Sequence, residues 1–299
     1  MSGSTALPTS RFHSVFVKSL VFSSIFLSGL SQAQDDFANV VITPVPAAGN
    51  ITMLMGQGGN IAVSIGEDGV LMVDDQFAPL SDKIKAAISS LGGDAPAFLV
   101  NTHWHGDHSG GNENFSDQAT IIAHDNVRVR LTNPANSRVP ESYPVITYAD
   151  GASIHFNGEE IRLIHLPNGH TDGDSAIWFT GSNVLHMGDQ FFAIRYPFID
   201  LSSNGNVHGL IRNLNNLVTR LPDDILIIPG HGNLSTKAEF VTYVDGVNET
   251  AAMVLDRKAA GLSLEAIIEE GLPAEYEQWG AGFISEEAWI TAVFNSPNL

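Results

Sequence analysis

The chain has 299 residues, no cysteine, and 33 acidic against 14 basic side chains, a formal net charge of −19. That balance excludes nucleic acid as a partner, because a polyanion needs a positive surface to displace its counterions. The missing cysteines exclude disulfides, thiolate metal ligands and a cysteine nucleophile, while a hydrophobic content of 43 % supplies a sizeable core.

The beginning of the chain reads as a leader. Arg11 and Lys18 provide positive charge, residues 20–30 are mostly apolar, and Ser31-Gln32-Ala33 offers the small residues a signal peptidase needs. Residues 1–33 are therefore expected to be a signal peptide and 34–299 a single domain, periplasmic or secreted. No later run is long and apolar enough to span a bilayer. Stable membrane insertion after leader removal is not expected.

Three short strands are expected at 51–55, 60–65 and 70–75, separated by turns at glycine, with a weaker β-favouring patch at 40–43. Ser81 opens an amphipathic helix that carries Ile84, Ile88 and Leu91 on one face. An apolar strand at 97–100 follows. Further along, 119–123 reads as a strand and 125–131 as a short helix. Pro134, Pro140 and Pro144 then mark a surface crossing rather than a domain boundary. Residues 152–156 and 160–166 flank Asn157-Gly158, a strong hairpin signal. A second hairpin is expected across Gly181-Ser182. Helical spacing returns at 207–221, a strand at 224–228, and helices at 236–255, 263–270 and 285–294. Strands and helices thus alternate in two halves. Two mixed sheets packed face to face between helices would bury them all.

The chemistry concentrates after the strand at 97–100. Asn101-Thr102-His103-Trp104-His105-Gly106-Asp107-His108 places three imidazoles and a carboxylate within a few residues, next to glycines that let the backbone bend. Imidazole with carboxylate suits zinc or another borderline divalent ion; a solvated polar turn is the plain alternative. Three more sites repeat the context of a ligand beside glycine just past an apolar strand: Gly169-His170-Thr171, Gly188-Asp189-Gln190 and Gly230-His231-Gly232. Loops carried on a rigid sheet are suited to gathering groups distant in sequence.

With these motifs the sequence resembles the metallo-β-lactamase-fold hydrolase superfamily. The His-x-His-x-Asp-His pattern is His103, His105, Asp107 and His108, and His170, Asp189 and His231 follow in order. The resemblance implies an α/β fold, an αββα four-layer sandwich with its metal site at one edge. It implies that His103, His105 and His170 hold one zinc, that Asp107, His108 and His231 hold a second, and that Asp189 bridges or joins the second site. Many zinc β-lactamases of the commonest class carry cysteine where Asp189 stands. An acid there looks more like thioesterases of the glyoxalase II type, lactonases and related hydrolases.

Two Zn²⁺ ions, or another divalent metal, would ready a water for attack on a small carbonyl substrate, with Asp107 orienting it as the catalytic residue. The expected substrate is a β-lactam or a related lactone or ester. A glyoxalase II-like thioesterase and a non-catalytic zinc-dependent binding protein are the alternatives. Trp104, Phe191 and Arg195 are expected at the substrate, with Phe192 and Tyr196 nearby. Asp74 either supports the metal loop or makes a simple turn. His165 and His186 read as structural, while His124, His155 and His208 lack ligand context.

Overall fold

The computed structural model describes residues 1–3 and 37–298. The expected signal peptide therefore lies almost wholly outside the described residues. The chain forms two compact units, Met1–Asn39 and Val40–Leu299, and all that follows concerns the second.

Two sheets carry the fold. The first has seven strands in chain order: β1 (Thr43–Pro46), β2 (Ile51–Met55), β3 (Ile61–Gly66), β4 (Gly69–Val73), β5 (Pro96–Val100), β6 (Thr120–His124) and β7 (Ile146–Tyr148). Strands β1 to β4 pair antiparallel through short turns, and β4 to β7 pair parallel through longer crossings. The second sheet has six strands, β8 (Gly151–Phe156), β9 (Glu159–His165), β10 (Ser175–Phe179), β11 (Val184–His186), β12 (Leu226–Ile228) and β13 (Ser235–Thr236), again laid side by side in chain order. Only β11 and β12 run parallel there. Asn157 and Gly158, at φ 51° and 79°, make the tight turn between β8 and β9 that their sequence demands.

The period of two along each strand separates two cores. Leu71 and Val73 of β4 face the second sheet, where they meet Ile161, Leu163, Ile177 and Phe179. Val70 and Met72, equally buried, face the other way. The helices cover the outer faces. On the first sheet's side lie α1 (Ser81–Ser90), the single-turn α2 (Gly106–Ser109) and α3 (Asn112–Phe115), and α4 (Asp125–Leu131). On the second lie α5 (Val207–Arg220), α6 (Lys237–Ala259), α7 (Leu264–Glu270) and α8 (Glu286–Asn295). Their apolar faces close over Leu185, Ile227, Phe240, Val247 and Trp289. Helix starts follow the sequence: Asn206 caps α5, Ser285 caps α8, and Thr236 with Glu239 forms a capping box on α6. This is two mixed sheets flanked by helices, the expected sandwich.

Three strands differ from expectation, among them the two-residue β13, where only a helix start at 236 was expected. The first strand falls at Thr43–Pro46 rather than at 40–43, and it contains two prolines. It lies at the sheet edge, where a missing N–H is tolerated. The three-residue β7, just after the proline-rich crossing, is too short to carry a legible alternation.

Phe179 is fully buried between the sheets, with Ile161 and Val184 as cross-strand partners. Phe179→Ala is expected to cost about 3–5 kcal/mol through lost burial and a cavity. Denaturant unfolding should show the midpoint falling with an unchanged slope.

Candidate metal centre

Four separate loops converge at one edge of the sandwich, each just beyond the carboxyl end of a strand. The loop after β5 carries His103, His105, Asp107 and His108, with α2 turning the last two inward. His170 follows β9, Asp189 follows β11 and His231 follows β12. A sheet's carboxyl edge is the usual place for a ligand crevice in α/β folds. Here both sheets contribute to it.

The side chains form two groups suited to holding metal. One is His103, His105, His170 and Asp189; the other is Asp107, His108 and His231; within each, the donor atoms lie within 4.8 Å of one another. Asp189 belongs to both by geometry. Its Oδ1 lies 3.0 Å from His108 Nε2 and 3.4 Å from His231 Nε2. Its Oδ2 lies 3.6 Å from His170 Nε2 and 3.8 Å from His103 Nε2. One carboxylate thus turns one oxygen to each group. Asp107 Oδ2 completes the second group, 3.3 Å from His231 Nε2.

Hydrogen bonds behind the histidines decide which nitrogen of each ring is free. His108 Nδ1 donates to Asp74 Oδ2 at 2.7 Å. Thr102 Oγ1 donates to that same Asp74 oxygen at 2.7 Å, so it accepts from His103 Nδ1 at 3.0 Å. His170 Nδ1 donates to the Phe198 carbonyl at 2.7 Å, and His105 Nε2 donates to Asp200 Oδ2 at 3.0 Å. Four imidazoles therefore present the opposite nitrogen, as a lone pair, to the shared space. His231 is steadied differently, by stacking on Phe192 at 5.1 Å and 17°.

The donor set fits divalent ions by a direct criterion. His103 Nε2, His108 Nε2 and Asp189 Oδ1 are buried and make no well-aligned hydrogen bond, the close approach of the last two included. Such orphaned atoms would be unfavourable in a purely structural cluster. Neutral imidazoles and carboxylates, with no thiolate, suit zinc and its neighbours. Burial pushes His170 down to about 4. Burial also opposes charge on His231, but Asp189 and Asp107 outweigh it and lift that group to about 9.

Two glycines make room for this packing. A Cβ on Gly59 would stand 2.1 Å from His108 Cε1, and one on Gly230 would stand 2.0 Å from Asp189 Oδ1. Asn60 ties these backbones together, donating to the carbonyls of Pro229 and Gly232. His186, fully buried, binds the Asn60 carbonyl at 2.8 Å. It is the structural group expected of it, as is His165, which stacks on His124 at 3.7 Å.

Above the two groups opens a cavity of about 510 Å³. His105, Asp107, Asp189 and His231 line its floor, and Phe77, Phe192, Tyr196, Phe198, Phe283 and Ile284 line its apolar side. Arg195 also lines it, and among the described residues makes no ion pair. Two expected substrate residues are elsewhere. Phe191 is 1 % exposed and packs on Phe240 and Tyr243, because its neighbour Phe192 takes the cavity-facing position. Trp104 flanks His105 at 4.9 Å but packs against the Ala123, Val127 and Leu131 cluster rather than lining the cavity. Sequence reasoning missed Thr102 and Asp200 behind the ligands, Gly59 beneath His108, and Phe77, Phe198, Phe283 and Ile284 on the wall. Polar residues a step from a ligand could have been weighed for Thr102; nothing local marks the others.

Residues 56–231 match the family model described as the metallo-beta-lactamase superfamily. The chain belongs to that superfamily. In this metallo-β-lactamase-fold hydrolase, three histidines and Asp189 form one ligand group, the aspartate standing in place of a cysteine ligand. A protein named hydroxyacylglutathione hydrolase from Rhodospirillum rubrum is 30 % identical over 196 residues, covering 65 % of this chain and 68 % of that one. The 2,4-dinitroanisole O-demethylase subunit alpha of a Nocardioides species is 26 % identical, covering 75 % of this chain and 68 % of its own. Among solved structures, the metallo-β-lactamase DIM-1 superposes with a TM-score of 0.60 at 20 % identity, covering 71 % of this chain and all of its own. The sec-alkylsulfatase Pisa1 from Pseudomonas sp. gives 0.69 at 13 % identity, covering 85 % of this chain and 50 % of its own. These two likenesses show the fold.

Asp74→Asn and Asp200→Asn are each expected to weaken metal binding about 10- to 100-fold, because both hold ligand histidines in the correct tautomer. Competition titration against a chromophoric chelator measures this. Gly59→Ala is expected to displace His108, lowering the bound metal stoichiometry in elemental analysis while circular dichroism stays native.

Proposed function

We propose that this protein is a dinuclear-metal hydrolase of carbonyl compounds, of the ester- and thioester-cleaving type. Asp189 carries this reading: a carboxylate facing both ligand groups stands where many zinc β-lactamases use cysteine. The relatives named hydroxyacylglutathione hydrolase support the same direction. They favour it over the β-lactam that the sequence analysis placed first among substrates. Their whole-protein activity comes here as part of the proposal, since the aligned region spans from about one-third to about two-thirds of those relatives' length.

His103, His105, His170 and Asp189 would hold one divalent ion, and Asp107, His108, His231 and Asp189 the other. Zinc is the expected metal. When bound, such ions lower the pKa of water and polarise a carbonyl oxygen. The chain's own residues then position the reactants. Asp107, with a quarter of its side chain exposed in the cavity, accepts a hydrogen bond from the attacking water and orients it. The water oxygen forms a bond to the acyl carbon, the acyl–sulfur or acyl–oxygen bond breaks, and the products are a carboxylic acid and a thiol or alcohol. The apolar wall keeps bulk water from the reacting carbonyl. Arg195 offers its charge to an anionic substituent at the cavity. Residues 1–33 would direct export, and the single domain 34–299 would act in the periplasm or outside the cell.

Metal-loaded protein is expected to hydrolyse simple thioesters and esters faster than nitrocefin. Activity should vanish on chelation and return with zinc. Asp189→Ala should lower kcat/KM by about 10³-fold, equivalent to several kcal/mol of lost charge stabilisation. Tight metal binding with no turnover of thioester, ester, lactone or lactam would instead identify a zinc-dependent binding protein.

A further inference from the structure

The cavity over the metal-ligand groups shares part of its wall with a neighbour. A second cavity of about 360 Å³ adjoins it, and the two share Phe198 and Ile284. Pro197, Ile199 and Leu201 line this second space together with Ala288, Thr291 and Ala292 of α8, and Ser285 and Glu287 also border it. The shared Phe198 stands against the ligands themselves, its ring 5.9 Å from that of His105 and 5.6 Å from that of His170. Phe198 and Ile284 are thus an apolar wall common to the reacting centre and to the space along α8.

The mouth has the same character. Phe283 meets Phe198 edge-on at 6.1 Å and is itself 84 % exposed, while Leu201 is 38 % exposed. Exposed large apolar side chains grouped around a cavity mark a surface that receives apolar matter. The two volumes together fall within the range of small-molecule sites. A glutathione conjugate, with two carboxylates, an ammonium and two peptide groups, would leave most of its polar groups unpaired along these walls. Among the described residues, Arg195 is the one arginine or lysine that lines either cavity.

We propose that the substrate carries an extended apolar acyl arm, laid across Phe198 and Ile284 into the second cavity, and that glutathione thioesters are poor substrates. This specificity rests on the hydrolase reading of the same site. Burial of the arm draws binding energy from each methylene, and the carbonyl at its end reaches the metal-ligand groups.

The test uses metal-loaded full-length protein and a series of p-nitrophenyl esters from acetyl to decanoyl, with S-lactoylglutathione alongside. kcat/KM should rise about two- to fourfold per methylene, as expected from burial of one CH₂ in each step. A second measurement is independent of turnover: calorimetric binding of neutral alkyl amides from acetamide to octanamide, whose affinity should rise with length. Ala288 is exposed on α8, so Ala288→Trp can fill the second cavity without disturbing the core. It should lower the octanoyl-to-acetyl ratio of kcat/KM at least tenfold. A flat or falling length series, an unchanged ratio in Ala288→Trp, or S-lactoylglutathione as the best substrate would overturn the proposal. Length-dependent amide binding without hydrolysis of any ester or thioester would keep the proposed arm site and refute the hydrolase reading.

Discussion

The Asp74 carboxylate lies at the end of β4 with no solvent exposure and accepts three hydrogen bonds. Its Oδ1 takes the backbone N–H of Thr102, which anchors the start of the ligand loop at 2.7 Å. Its Oδ2 takes the Thr102 hydroxyl and the His108 imidazole. Through Thr102 it also sets the tautomer of His103. One buried acid thus orients a histidine in each ligand group and pins the segment that connects them. Its backbone sits at φ 63°, a conformation uncommon for a residue with a side chain. Strain of that kind persists where surrounding contacts over-determine it, and functional sites are where it is found.

The sandwich explains why such an arrangement can be rigid. Strands from both sheets end at the same edge, so the loops that bear His103 to His108, His170, Asp189 and His231 start from backbone already held in ladders. Asn60 at the start of β3 binds the carbonyls on either side of His231, and its own carbonyl is held by His186. The two sheets are therefore joined at the metal-ligand edge by polar contacts as well as by the apolar layer between them. A displacement of one sheet against the other would disturb Asp189, whose two oxygens face groups drawn from both. Specific packing at Gly59 and Gly230 leaves little space to absorb it.

The chemistry available to the site follows from what the walls lack. The ligand groups supply neutral imidazoles and carboxylates, and the cavity beyond them is aromatic and aliphatic with Arg195 as its cation. Such a pocket strengthens charge–charge interactions at its floor by excluding water. On the proposed reading, substrate would be recognised chiefly through apolar area. The acidic surface of the rest of the chain, with 33 carboxylates against 14 bases, further disfavours highly anionic ligands.

Much of this was legible before any coordinates. The hairpin at Asn157-Gly158, the spacing of Leu210, Leu214 and Leu217 in α5, and the glycine-flanked histidines are local signals, set by backbone sterics and side-chain period. The order of His103, His105, Asp107, His108, His170, Asp189 and His231 was enough to name a fold and a ligand set. What the sequence could not contain is direction and distance between remote segments. Whether Phe191 or Phe192 faces the cavity depends on a turn of one residue after Asp189, and tertiary packing on Phe240 and Tyr243 decided it. Asp200 supports His105 from 95 residues away, and Phe283 joins Phe198 across 85 positions only because the chain after α7 folds back over the site. Local propensity has no term for such contacts. They exist because burying the C-terminal helices against the second sheet leaves one place for that loop to cross.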